Sequence, residues 1–280
     1  MGICKYCGQP AGVFRSKHAE CEDAHVRATQ KIGEFVLSAV RGTAPVEGLP
    51  ARLQALASPA HVSPAMVKDM AVTGWEKGVD VFLNDGNLDS VEEARLSEVA
   101  NCLKYTQSDL DRSGYYTKVV KAAVLREVMS GVVPSRAAIA NNPFNLQKSE
   151  KLVWLFNGVE YIEDKVRREF VGGSRGVSVR IMKGVYYRVG DFKGRTIERT
   201  EHVSVDRGVL GVTDKHIYFA GGGKSFRVPY SKIVSFTPYS DGFGIVRDLA
   251  SAKPQIFATG DGWFTYNLVT NLAQFQQAGC

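Results

Sequence analysis

The 280-residue sequence lacks the features that mark membrane, secreted and fibrous proteins. No apolar run approaches the roughly 18–20 residues that a bilayer-spanning helix needs. The opening residues, MGICKYCGQPAG, contain no apolar core of a secretory signal. The chain has only five cysteines, an odd number, which favours a reducing compartment and a metal over a disulfide framework. We therefore expect a cytoplasmic protein of two or three domains.

The sequence also lacks a concentrated block of positive charge, although its net charge is +6. The four segments 1–30, 31–149, 150–201 and 202–280 carry +1, 0, +3 and +2 in turn. A dedicated DNA-binding domain usually gathers its cations on one element, because affinity grows with the number of phosphates neutralised. The charge distribution therefore does not indicate a nucleic-acid partner, and leaves such a partner as an alternative.

The spacing of apolar residues divides the chain into three segments, which predicts a multidomain α+β protein. We place a short zinc finger at residues 1–25, an all-α helical bundle at 26–145 and a β domain at 150–280. In the middle segment the apolar residues recur at helical spacing. Four prolines between its first two helical stripes predict a loose connection there; these are Pro45, Pro50, Pro59 and Pro64.

After residue 150 the apolar period changes to two, which predicts short strands. Alternating runs occur at 177–181 and 209–213, and a glycine-rich turn at 220–224 joins two more strand-like runs. The last segment returns to helical spacing, and Asp261 is placed to cap that helix. We expect a β-barrel that the C-terminal helix closes.

The sharpest chemical signal is Cys4-x2-Cys7-x10-His18-x2-Cys21. Zinc prefers four tetrahedral nitrogen or sulfur ligands, and a Cys-x2-Cys turn presents two thiolates to one ion. His18 and Cys21 lie three residues apart, so they would face the same way at the start of a helix. His25, four residues after Cys21, is a rival for His18 as the fourth ligand. Four protein ligands would make this Zn²⁺ site structural.

This arrangement, a CxxCG followed by HxxC and a helix, resembles the short treble-clef-like zinc fingers that begin many bacterial proteins. The resemblance covers about 22 residues. It implies zinc bound through Cys4, Cys7, His18 and Cys21.

A second candidate metal site is the acidic segment DGNLDSVEEARL between two helical patterns. It resembles the TerB-like helical family known from tellurite-resistance and stress-response operons, whose acidic inter-helix loop has been linked to metal. The resemblance singles out Asp85, Asn87, Asp89 and Glu92. The alternative is a capping box in which Asp89 begins a helix and Glu92 reaches back to it.

Two motifs that suggest catalysis lack the structural context that they need. Residues 172–176 match the G-x-S-x-G pattern of a hydrolase, but a strand pattern follows the serine where a helix is required. Residues 221–225 end like a phosphate-binding loop, but Tyr218 stands where its first glycine belongs. We therefore expect no enzymatic activity.

The order of motifs over about 160–280 resembles bacterial pleckstrin-homology-like (PH-like) and GRAM-like domains. These motifs include the run TDKHIYF and the later PYSKI. The resemblance implies a bent sheet of about seven strands plugged by the terminal helix, and binding of lipid headgroups or protein segments. Four basic residues are candidates for a lip that binds anionic phosphates; these are Lys183, Arg188, Lys193 and Arg195.

Together these features predict a non-catalytic, zinc-binding bacterial adaptor linked to stress or defence. We expect it to bind a protein partner or the anionic inner membrane surface through its β domain. The alternative is a nucleic-acid-associated regulator that uses the zinc finger.

Overall fold

The computed structural model describes residues 2–134, 142–174, 177–182, 185–189, 192–250 and 252–278, and only the backbone within 164–202 and 276–278. The chain divides into two compact units, residues 1–132 and 133–280. The first unit is helical, apart from a small N-terminal hairpin, and the second is dominated by β-structure.

The first unit begins with a two-stranded antiparallel hairpin, β1 (Gly2–Ile3) and β2 (Pro10–Gly12). Six helices follow it: α1 (Ala19–Val40), α2 (Leu49–Ala57), α3 (Pro64–Phe82), α4 (Ser90–Cys102), α5 (Gln107–Leu110) and α6 (Tyr115–Met129). Helix α1 runs through residue 25, so the predicted finger and the helical bundle share one helix.

Helices α1 and α3 cross closely because glycines lie where they meet. A Cβ atom added to Gly74 would lie 2.3 Å from the carbonyl oxygen of Gly33, and one on Gly78 would lie 2.4 Å from Val40. Trp75, which is almost fully buried, donates its Nε1–H to the Leu96 carbonyl of α4 at 3.0 Å. A single apolar core therefore joins α1, α3 and α4.

The predicted loose connection between the first two helical stripes is wrong, because this segment contains α2. Pro50 lies in the first turn of α2 and Pro64 in the first turn of α3. The first turn tolerates proline since its N–H groups have no intrahelical acceptor. Pro50 and Pro64 therefore mark helix starts.

The second unit is a seven-stranded antiparallel sheet followed by one helix. The strands of this sheet are β3 (Leu152–Ser174), β6 (Phe192–Thr213), β7 (His216–Gly221), β8 (Ser225–Pro229), β9 (Ile233–Pro238), β10 (Gly242–Arg247) and β11 (Gln255–Ala258). Strands β4 (Val177–Met182) and β5 (Val185–Val189) form a separate pair, and helix α7 spans Gly262–Ala278. Asp261 accepts from the Phe264 N–H at 3.1 Å, which confirms its predicted capping role.

The prediction of a closed barrel is wrong. The order of strands is β8-β7-β6-β3-β11-β10-β9, so β8 and β9 are the two edges of an open sheet. A period-two pattern indicates which side chains of a strand are buried. It does not show whether the two edge strands of the sheet pair with each other. One face of the sheet is covered by α7, whose Phe264 ring lies 4.9 Å from that of Trp154.

Candidate metal centre

The N-terminal hairpin and the first turn of α1 bring four candidate ligands together. Sulfur or nitrogen atoms of Cys4, Cys7, His18 and Cys21 all lie within 4.8 Å of one another. The Cys7 and Cys21 sulfurs lie 3.4 Å and 3.6 Å from His18 Nδ1. Three thiols and one imidazole form the donor set of a structural zinc site.

The backbone near Cys4 folds into a turn that aims N–H groups at sulfur. The Gly8 N–H donates to the Cys4 carbonyl at 2.9 Å, and Gly8 has φ +72°, a value that favours glycine. The His18 N–H donates to Cys4 Sγ at 3.4 Å. Because Cys4 is buried, its sulfur depends on these protein donors and not on water.

The ring of His18 is oriented by a contact outside the cluster. Its Nε2 lies 3.0 Å from the Pro10 carbonyl oxygen. A carbonyl can only accept, so Nε2 carries a proton, and in the neutral ring Nδ1 then presents its lone pair to the Cys7 and Cys21 sulfurs. Metal-bound histidines usually have such an outer partner. The geometry therefore suits a ligand role for His18.

The electrostatics of the thiols also favours a cation. Burial raises the pKa of Cys4, but N–H donors from Cys7, His18 and Tyr6 outweigh it and lower that pKa to about 6. Burial and then the Cys7 thiol raise the pKa of Cys21 to about 11. Crowded thiols cannot all ionise side by side. A divalent cation would remove that repulsion, since it binds thiolates.

His25, the rival fourth ligand, faces away from the cluster. Its Nδ1 lies 3.1 Å from the Ala60 carbonyl oxygen, and its ring packs 4.6 Å from that of Tyr6. These contacts tie the finger to the helical bundle. The structure thus brings His18, and not His25, to the three cysteines.

The acidic segment forms the capping box that was predicted as the alternative to a metal site. The Asp89 carboxylate accepts from the N–H groups of Val91 and Glu92, each at 2.7 Å, and Glu92 accepts from the Asp89 N–H at 3.0 Å. Asp85 accepts from the Asn87 N–H at 2.9 Å. A metal at these residues stays a prediction. In the part of the chain that the structure describes, metal-ligand groups cluster only at the N-terminus.

The predicted basic lip falls where side chains are not described. Lys183 lies outside the described residues, and only the backbone is described for Arg188, Lys193 and Arg195. A phosphate-binding role for these four residues stays a prediction.

A buried polar cluster in the second unit has no counterpart in the sequence analysis. The Glu150 carboxylate accepts from the Thr213 hydroxyl at 2.5 Å and from His216 Nδ1 and the Tyr218 hydroxyl, each at 2.8 Å. The Thr213 hydroxyl faces the carboxylate and not the imidazole, so the group lacks the relay of a catalytic triad. The cluster anchors the segment before β3 to the β6–β7 turn.

Comparison of the chain with known protein families, with curated protein sequences and with solved structures found no match in any of the three. Within the described residues, no helix is both long enough and apolar enough to cross a membrane.

Proposed function

We propose that this protein is a non-catalytic adaptor in which Zn²⁺ fixes the N-terminal segment onto the helical bundle. One observation carries the proposal: four ligand atoms from Cys4, Cys7, His18 and Cys21 lie within 4.8 Å of one another. Two of these ligands lie on the hairpin side and two at the start of α1. One ion would therefore cross-link a segment too short to bury a core of its own.

The β unit is the proposed partner-binding part of the adaptor. Seven antiparallel strands followed by one C-terminal helix are what the PH-like resemblance leads us to expect, which supports that assignment. Such a domain would bind a protein partner or an anionic membrane surface. The TerB-like assignment of the helical segment and the link to stress or defence belong to the same proposal.

Metal content tests the central claim. We expect one zinc per chain in the wild type, measured by elemental analysis and by native mass spectrometry. Cys7→Ser should bind the metal much more weakly, because it removes one of the four protein ligands. Cys102→Ser is the matched control, since the Cys102 thiol lies in α4 and donates to the Val46 carbonyl.

A gain-of-ligand variant separates a metal role from a folding defect. His18→Cys supplies four thiolates and should retain a metal, with a Co²⁺ absorption spectrum shifted toward that of an all-sulfur site. Wild type without zinc, or Cys7→Ser that binds zinc as tightly as wild type does, would refute the proposal.

A further inference from the structure

The turn that follows strand β2 carries two exposed apolar side chains, Val13 and Phe14, which we define as the tip. Val13 is 68% exposed and Phe14 is completely exposed, and Ile3 on strand β1 is 66% exposed. Single exposed apolar side chains are common on protein surfaces. Two adjacent ones at one turn, with a further apolar side chain on the same hairpin, form a surface that water solvates poorly.

The backbone holds the tip in this exposed position. Phe14 has φ +62°, a left-handed conformation that is unusual for a bulky side chain. On one side of the tip Gly2 pairs with Gly12, and on the other the Lys5 N–H donates to the Ser16 carbonyl at 2.9 Å. Strain of this kind persists where the surrounding structure enforces it, and it is concentrated at functional sites.

Three cations, Lys5, Arg15 and Lys17, flank the tip in the sequence, and the first carboxylates follow in α1 at Glu20, Glu22 and Asp23. A groove of about 460 Å³ beside the tip is lined by Phe14, Arg15, Ser16, Lys17, Ala19 and Glu22. Glu22 pairs with Lys17, and in the described part of the chain Arg15 has no ion pair. The positive charge of Arg15 therefore lies next to the apolar tip.

We propose that the tip docks onto an anionic lipid bilayer. Val13 and Phe14 enter the boundary between headgroups and acyl chains, and Arg15 binds lipid phosphates in the adjacent groove. Amphipathic elements bind membranes through this combination of buried apolar area and attraction to anionic lipid. A single-stranded nucleic acid fits less well, because base stacking uses aromatic rings and gains nothing from Val13.

This inference rests on the proposed metal centre, because the tip lies in the loop between the ligands Cys7 and His18. The test uses the full chain and measures zinc in the same samples. Binding of the protein is compared between vesicles of phosphatidylcholine alone and vesicles of phosphatidylcholine mixed with phosphatidylglycerol. We expect binding to the mixed vesicles that weakens as salt rises.

Two substitutions address the two parts of the tip. Phe14→Ser should weaken binding by about tenfold or more, since it removes the larger apolar side chain. Arg15→Gln should weaken it by about fivefold. The matched control is Val91→Ser, because Val91 is 75% exposed but is followed by Glu92 and Glu93, which an anionic surface repels.

The outcomes that overturn the inference are distinct from those that overturn the metal centre. Two outcomes would overturn the membrane contact alone. One is zinc-loaded wild type that does not bind the mixed vesicles, and the other is zinc-loaded Phe14→Ser that binds them as tightly as wild type does. Binding to single-stranded RNA that Phe14→Ser abolishes, without vesicle binding, would reassign the tip to nucleic acid. Zinc-free wild type would overturn both proposals.

Discussion

At the scale of single residues, Glu150 is a buried carboxylate whose charge is stabilised by hydrogen-bond donors. Glu150→Ala would remove the buried acceptor of the Tyr218 hydroxyl and the His216 ring, whereas the Thr213 hydroxyl could still donate to the His216 carbonyl at 2.9 Å. We expect a loss of about 3 kcal/mol in the free energy of unfolding, measured by urea denaturation. A loss below about 0.5 kcal/mol, the range of ordinary surface substitutions, would show that water replaces the carboxylate.

The same carboxylate predicts a dependence of stability on pH. Burial raises the pKa of Glu150, but hydrogen bonds from Thr213, the Gln147 N–H and Tyr218 outweigh burial and lower it below 4.5. A folded pKa below the unfolded one stabilises the protein fully above the unfolded value. That stabilisation is lost as the pH falls from about 4.5 through the folded pKa. Urea midpoints measured over this range should fall more steeply for wild type than for Glu150→Gln; parallel curves would exclude this origin.

The two clusters differ in how far the sequence could predict them. All four candidate zinc ligands follow from short spacings, which also favour His18 over His25, and the contacts of the two rings agree with that choice. Glu150 and His216 are 66 residues apart and share no motif. Their pairing depends on the register of β6 against β3, which places the β6–β7 turn beside the segment before β3. The local apolar pattern of each strand does not show which distant strand it will pair with, so the sequence alone does not bring these two residues together.

At the scale of elements, the crossing of α1 and α3 depends on a glycine contact. Alanine at a helix interior normally gains about 1 kcal/mol over glycine. At Gly74 the added Cβ would lie 2.3 Å from the Gly33 backbone oxygen, which only a shift of the helices can relieve. We expect Gly74→Ala to destabilise the first unit by about 2 kcal/mol, measured by thermal unfolding.

Gly33→Ala is the matched control for Gly74→Ala. Its Cβ would meet the Met70 carbonyl oxygen at 3.3 Å, so a shift of a few tenths of an ångström suffices. This change should cost much less than Gly74→Ala. A Gly74→Ala variant at least as stable as wild type would show that the crossing is not limited by this contact.

The sequence predicts local elements better than their arrangement. The apolar stripe of Phe264, Leu268, Leu272 and Phe275 marks α7. The first three residues are buried and Phe275 is half-buried. Helix α2 is missed because prolines at helix starts look the same in sequence as prolines in loops. The open sheet is missed because edges are set by pairing between strands distant in sequence, such as β3 with β11.

At the scale of the whole molecule, the metal centre belongs to only one of the two units. All four ligands lie within residues 1–132, where they connect the hairpin to α1. Each unit contains apolar residues of its own that are fully buried, such as Ile32 in the first and Phe243 in the second. Free energy of metal binding at the proposed site would therefore stabilise the helical unit directly.

Removal of the metal should accordingly have a local effect. We expect a zinc chelator to lower the amide hydrogen-exchange protection of the hairpin and the first turns of α1, and to leave strands β6, β7 and β10 unchanged. Cys7→Ser should show this loss of protection even without chelator. Cys102→Ser should keep the wild-type protection when no chelator is present. Parallel loss of protection in the strands would contradict independent stabilisation, because the sheet unit contributes no ligand to the cluster.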